Sequence, residues 1–214
     1  MISAAREDVL ERIRSALGPE REVVEIPRDY VVASSMDRDA QVERFAERAA
    51  EYRATVWRCA IDDIQQAVAA ALAEHGARRL VAPDDLPAAW RPEGIEWLDD
   101  GARTLSPEEL DASDGVVTGC ALAIADTGTI VLDAGRYQGR RALTLLPDLH
   151  VCVVRSAQVV GTVPEAIRKL GEAVRTGTRP VTFISGPSAT SDIELNRVEG
   201  VHGPRRLEIV LASR

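Results

Sequence analysis

Short apolar runs alternate along this chain with helical stretches that carry their apolar residues on a single stripe. Thr55-Val56-Trp57-Arg58-Cys59 reads as a strand. The stretch after it carries Ile64, Val68 and Leu72 at helical spacing and ends at Gly76, and Arg79-Leu80-Val81-Ala82 follows as a second strand stopped by Pro83. A strand, a helix and a strand in that order pair most simply in parallel, through a right-handed crossover. The alternation therefore predicts an α/β fold: a single domain with a mostly parallel sheet flanked by helices.

The remaining elements are placed by caps and breakers. Ser3 can cap a first helix with Val9, Ile13 and Leu17 in register, and Gly18-Pro19 ends it. This gives residues 1–35 as an N-terminal helix and connector, and residues 36–214 as the main domain. The first helix reads as an amphipathic helix that covers its own core, ahead of an arm that packs on a partner. A second helix is expected over about residues 37–54, with Val42, Phe45, Ala49 and Tyr52 on one stripe.

Asp62 and Gln65 make one capping box, and Ser106-Pro107-Glu108-Glu109 opens another helix with Ser as cap and Pro at the first position. From Gly115 to Ala134 the chain is small, apolar and β-prone, with a tight turn at Asp126-Thr127-Gly128. Leu143 to Leu146 and Val151 to Val154 read as two further strands around Pro147-Asp148. A helix is expected over 164–174, a buried strand over 181–184 and a closing strand over 207–211.

Charge and cysteine usage exclude several function classes. The net charge of −8 argues against a general nucleic-acid binder, which needs a basic face for phosphates. Aromatic residues make up only 4%, so the core has to be built from Ala, Val, Leu and Ile. Cys59, Cys120 and Cys152 are far apart and form no C-x-x-C pair, which fits isolated thiols in a reducing compartment. An iron–sulfur cluster normally takes four thiolates, so no cofactor is expected in this chain. The N-terminus has no continuous apolar run and no stretch reaches the length of a membrane span, so a cytoplasmic protein is expected.

Three stretches can carry chemistry. The first is Ser185-Gly186-Pro187-Ser188-Ala189-Thr190-Ser191-Asp192-Ile193-Glu194, where a buried strand runs out into glycine, proline and hydroxyl residues. Open α/β sheets bind ligands beyond the carboxyl ends of their strands, and amides and hydroxyls there can cradle phosphate or carboxylate oxygens. Ser191 through Glu194 also makes a capping box with no ligand at all. Ser185, Gly186, Ser188 and Thr190 are candidate ligand-binding residues, and Glu194 a candidate catalytic carboxylate.

The second stretch, Gly200-Val201-His202-Gly203-Pro204, holds a histidine between glycines. His202 is either an acid–base or anion-binding group or a structural residue of the turn, with Gly203 beside it. In the third, Asp126, Thr127, Gly128 and Thr129 form a hairpin turn that needs no ligand but can equally wall a cleft, with Asp126 as a catalytic candidate. His150, inside an apolar strand, reads as a satisfied core residue. His75 reads as a helix C-cap, and Arg136, Arg140 and Arg141 as a solvated turn ahead of an anion clamp. Nucleotide-binding glycine motifs, H-E-x-x-H and G-x-S-x-G are all absent, and no metal site is indicated.

Taken together and in order, Ser185–Glu194 and Gly200–Arg205 resemble the closing signature of the LUD-domain family. Ala125-Asp126-Thr127-Gly128-Thr129 resembles that family's acidic-Thr-Gly-Thr turn, with Asp where Glu is more usual. The run from Arg141 to His150 is similar to the strand leading into its Pro-x-x-His element. The missing cysteine cluster matches the family's cluster-free members.

The resemblance implies a fold similar to the sugar-phosphate isomerase and CoA-transferase superfamily. It also implies a non-redox subunit of a cytoplasmic system that oxidises L-lactate to pyruvate with iron–sulfur partner proteins, acting on a small carboxylate or phosphate ligand. Two other readings stay open. One is a stand-alone isomerase or acyl- or CoA-transfer enzyme, with Glu194 or Asp126 as base or nucleophile and His202 as its acid–base partner. The other is a regulatory protein that binds a small carboxylate.

Overall fold

The computed structural model describes residues 2–18, 25–177, 179–187, 189–190, 198–199 and 202–213, with backbone alone at 2–3, 172–173, 176, 189–190 and 198–199. By its contacts the chain divides into Met1–Tyr30 and Val31–Arg214. The first unit holds helix α1, Ile2–Leu17, whose stripe of Val9, Ile13 and Leu17 is exposed, and Gly18 follows it with a φ of 70°. No helix among the described residues is long and apolar enough to cross a membrane.

The second unit is built on six parallel strands. In chain order they are β1 (Thr55–Ala60), β2 (Arg79–Pro83), β3 (Glu96–Asp100), β4 (Gly115–Gly119), β7 (Leu149–Arg155) and β12 (Arg206–Ser213), and their spatial order is β1-β12-β7-β4-β2-β3. A smaller sheet, β8-β5-β6-β9, is made by β5 (Leu122–Ile124), β6 (Thr129–Leu132), β8 (Val159–Val160) and β9 (Thr182–Ile184). A two-stranded ribbon pairs β10 (Ala189–Thr190) with β11 (Val198–Glu199).

Period-two alternation along the central strands splits the core into layers. Leu149, Val151 and Val153 of β7 face the cluster made with Ile64, Val68 and Leu72 of helix α3 (Ile64–Glu74). Cys152 and Val154 point to the opposite face. There they join Leu207, Ile209 and Leu211 of β12, Phe45 and Ala49 of helix α2 (Arg38–Glu51), and Ala123 and Ile130 of the small sheet. Helix α5 (Val163–Thr176) covers the small sheet's outer face through Ala166 and Leu170. The short helix α4 (Pro107–Asp111) packs Leu110 against Val81, Val116 and Leu143. The small sheet is thus sandwiched between the large one and α5.

Several local expectations hold for the physical reasons given. The second helix begins where expected, with Asp37 accepting from the Ala40 amide at 2.8 Å as its cap, and Ser106 with Glu109 closes the predicted capping box. Others are corrected. Asp62 and Gln65 form no capping box, because residues 61–63 make a 3₁₀ turn and Gln65 Nε2 instead donates to the Arg91 carbonyl at 2.6 Å. The stretch 143–146 is no strand: Arg141–Thr144 is a 3₁₀ turn that buries Leu143 under α4.

Strand β9 is neither buried nor part of the parallel sheet. It pairs antiparallel with β6, and Phe183 is 45% exposed. His75 follows α3 as expected but is also committed to a buried carboxylate. Its Nε2 lies 2.9 Å from Glu208, which also accepts from Trp57 Nε1 at 2.6 Å.

Candidate functional site

Because β9 belongs to the small sheet, the carboxyl-end argument for its following loop does not apply. The Ser185-Gly186-Pro187 stretch instead faces the amino ends of β7 and β12 across a cleft of about 220 Å³. One side is β9 and its loop. The other is formed by His150, Thr144 and Arg141 before and within β7, and by His202, Gly203 and Pro204 leading into Leu207 of β12.

The floor is held by the large sheet. His150 shares the parity of Cys152 and Val154, so its ring points away from α3 and toward the cleft side. It is fully buried, and its Nε2 lies 2.7 Å from Thr118 Oγ1 on the adjacent strand β4. The other ring nitrogen, Nδ1, has no hydrogen-bond partner among the described residues. A buried polar atom left unpaired costs about 1–3 kcal/mol, so this one calls for a functional reason. Behind the ring, the Cys120 thiol, His150 and Thr118 together hold the Cys152 thiol down to about 6, while contact with Cys152 and burial push Cys120 well above the ordinary thiol value.

Arg141 supplies the charge. Its Nη1 donates to the carbonyl and hydroxyl of Thr144 at 2.8 and 3.1 Å, and its Nη2 reaches the His202 carbonyl at 3.4 Å. Desolvation lowers its pKa from the ordinary guanidinium value. Among the described residues it makes no ion pair with a carboxylate, whereas Arg140 is paired to Asp100 at 3.0 Å. Arg136 lies over the Tyr137 ring. The arginine group is therefore not one solvated turn, since its three members have three different environments.

The rim is tied by hydroxyls and close backbone packing. Thr129 Oγ1 lies 2.7 Å from Thr127 Oγ1 and 2.8 Å from Ser185 Oγ, joining the β5–β6 turn to the loop after β9. Gly128 has a φ of 59°, and a Cβ there would meet the Ala49 amide nitrogen at 2.3 Å. At Gly186, with a φ of 78°, it would meet the Tyr52 carbonyl at 2.2 Å. Both glycines are thus required by the approach of α2 and its C-terminal end, and Gly186 lines the cleft as well.

Residues 42–212, which carry both the glycine turn on α2 and the histidine-bearing loop, match the family model described as LUD domain. The chain belongs to the LUD-domain family. It is similar to lactate utilization protein C of Deinococcus radiodurans, with 47% identity over 86% of this chain and 85% of that protein. A protein of the same name from Exiguobacterium sp. is 32% identical over 96% of this chain and 95% of its own length. Among solved structures, a DUF162 family protein from Deinococcus radiodurans superposes with a TM-score of 0.72 at 41% identity. That match covers 83% of this chain and 99% of the other.

Within this LUD domain the residues singled out from sequence fall into three groups. Ser185, Gly186, His202 and Gly203 line the cleft. Thr127, Gly128 and Thr129 stand behind it and brace the rim, while Asp126 is exposed at the turn and its amide donates to the Gly161 carbonyl. Ser188, Glu194 and the Thr190 side chain lie outside the described residues.

The sequence reading missed Thr144, set His150 down as core, and kept an anion clamp at Arg141 only as the second reading after a solvated turn. The expectation of a satisfied core histidine is corrected: His150 is in the core, but its Nδ1 has no partner among the described residues and it lines the cleft. The only signal for it was the Pro147-x-x-His150 spacing, which the family resemblance carried and periodicity did not.

Proposed function

We propose that this LUD-domain protein is the cluster-free subunit of a cytoplasmic system that oxidises L-lactate to pyruvate, with iron–sulfur partner proteins carrying the electrons. Its cleft takes the small carboxylate. The observation that carries this reading is Arg141, a partly desolvated guanidinium with no carboxylate partner among the described residues, lining a cleft small enough for a three-carbon acid. Planar guanidinium and planar carboxylate meet through two parallel hydrogen bonds, which selects for a carboxylate ligand. Similarity to proteins named lactate utilization protein C in Deinococcus radiodurans and Exiguobacterium sp. supports a role in lactate utilisation.

Electron transfer is assigned to partners because it requires a cofactor, and three cysteines fall short of a cluster's usual four thiolates, with Cys120 and Cys152 inside the core. The tagged protein, recovered from lactate-grown cells, is expected to bring down iron–sulfur proteins and to support dye reduction by L-lactate. Recovery without partners or activity, together with normal growth on L-lactate after gene deletion where no other lactate oxidase exists, would overturn the reading.

A further inference from the structure

The buried histidine of β7 has one ring nitrogen engaged and one left over. Nε2 is turned to Thr118 on β4 at 2.7 Å, which fixes the plane and tilt of the ring. The ring lines the cleft, and Nδ1 is its remaining polar atom, without a partner among the described residues. A fully buried imidazole is not left half-satisfied by a sheet that could as readily hold Leu or Val at that position. The cleft that His150 lines offers space for a polar group to meet that unmet capacity.

We infer that His150 is a ligand-binding residue of the cleft, whose Nδ1 hydrogen-bonds the α-oxygen of a small carboxylate while Arg141 takes the carboxylate group. This deepens the carboxylate reading above and rests on it. The pair defines a ligand class: a carboxylate with an oxygen on the adjacent carbon, a 2-hydroxy or 2-oxo acid. A plain short-chain acid offers Arg141 its carboxylate but leaves Nδ1 unpaired, so the site discriminates against it. Thr118 is the positioning residue, because it holds the ring through Nε2 and touches no ligand.

Two conservative variants separate binding from structure. In His150→Asn the side-chain amide sits where Nδ1 was and the contact with Thr118 is lost. In His150→Gln the amide reaches toward Thr118 and the Nδ1 position is emptied. Calorimetric titration of each full chain with L-lactate, pyruvate and propionate reads the outcome. The wild-type protein is expected to prefer L-lactate or pyruvate over propionate by about tenfold or more. His150→Asn should keep most of that preference, and His150→Gln should lose it while unfolding at nearly the wild-type temperature.

Equal preference in His150→Gln and wild type would overturn the inference and leave the carboxylate cleft standing. Wild-type binding with no preference would do the same. Failure of the wild-type chain to bind any of the three acids would overturn both the inference and the carboxylate cleft, with membership in the lactate system still decided by the pull-down. Should either variant misfold, the ring nitrogens of the labelled wild-type protein give a second test. Ligand has to move the His150 Nδ1 resonance, and an unmoved resonance in a protein that binds lactate contradicts the proposal.

Discussion

The two sides of the cleft are built on different principles. The floor is strand: His150 and Leu207 sit on β7 and β12, paired on both sides within the parallel sheet, with fully buried Ile209 and Cys152 opposite one another just behind. The rim is loop and edge: β9 is three residues long, Phe183 is half-exposed, and the 202–204 turn has an exposed histidine. A group that must hold one geometry belongs on the floor, and a group that must admit a ligand belongs on the rim. The buried histidine is therefore the orienting element and His202 the accessible one.

Substitutions should reproduce this contrast in stability. Ile209→Ala, in the centre of the floor, is expected to cost about 2–5 kcal/mol in chemical denaturation. Phe183→Ala on the rim should cost less than about 1.5 kcal/mol. Comparable losses at the two positions would mean the rim is as well packed as the floor.

Gly128 sharpens the contrast from the other side, because there the rim is rigid. Gly128→Ala forces a left-handed φ on an alanine and drives its Cβ into the backbone of α2. A loss of about 1–3 kcal/mol is expected. The Thr127–Thr129–Ser185 hydroxyl contacts should loosen with it, which hydrogen exchange at Ile184 and Ser185 would report. An unchanged stability would show that α2 can move away freely.

Arg141→Met should separate binding from folding. It removes the cleft's guanidinium but keeps an unbranched stem, so L-lactate affinity is expected to fall about tenfold or more while the melting temperature barely moves. A large drop in melting temperature with affinity unchanged would make Arg141 a brace for the 202–204 turn and not a ligand group.

The smallest effect concerns the thiols beneath the floor. Cys152 is held at about 6, below its ordinary 9.0, first by Cys120 and then by His150 and Thr118. Between those values the unfolded chain binds a proton that the folded chain has released, so stability rises with pH through this window. The contribution is complete above the ordinary thiol range and is lost as pH falls through about 6. Cys120, raised by the same contact, opposes it at higher pH. Stability measured across this range should be flatter in Cys152→Ser than in the wild type, and an identical slope would show that the pair titrates normally.

The alternation of apolar runs with amphipathic helices was enough to read the α/β class, α2, α3, the Ser106 cap and the β5–β6 turn. These are local signals, written in spacing and caps. The partition into two sheets was not legible. As sequence, the apolar runs 181–184 and 151–154 are equally short, and only long-range pairing puts them in different sheets. Strand β3, Glu96-Trp97-Leu98-Asp99-Asp100, was passed over because its edge position leaves it polar.

The site was half legible for a related reason. Glycine and histidine in loops announce themselves, so Ser185, Gly186, His202 and Gly203 were found. His150 lies between Leu149 and Val151 and looks like core, and Arg141 looks like any surface arginine. Their roles depend on which atoms remain unpaired once the sheet has formed, and residue type does not encode that.

The central claim is the location of the ligand, at the amino ends of β7 and β12. Titration of labelled full-length protein with L-lactate, followed residue by residue by NMR, tests it most directly. The account predicts shifts concentrated at Arg141, Thr144, His150, Ser185 and His202. Shifts at the opposite, carboxyl ends of β4 and β7, around Arg136, Arg155, Lys169 and Arg179, would contradict it.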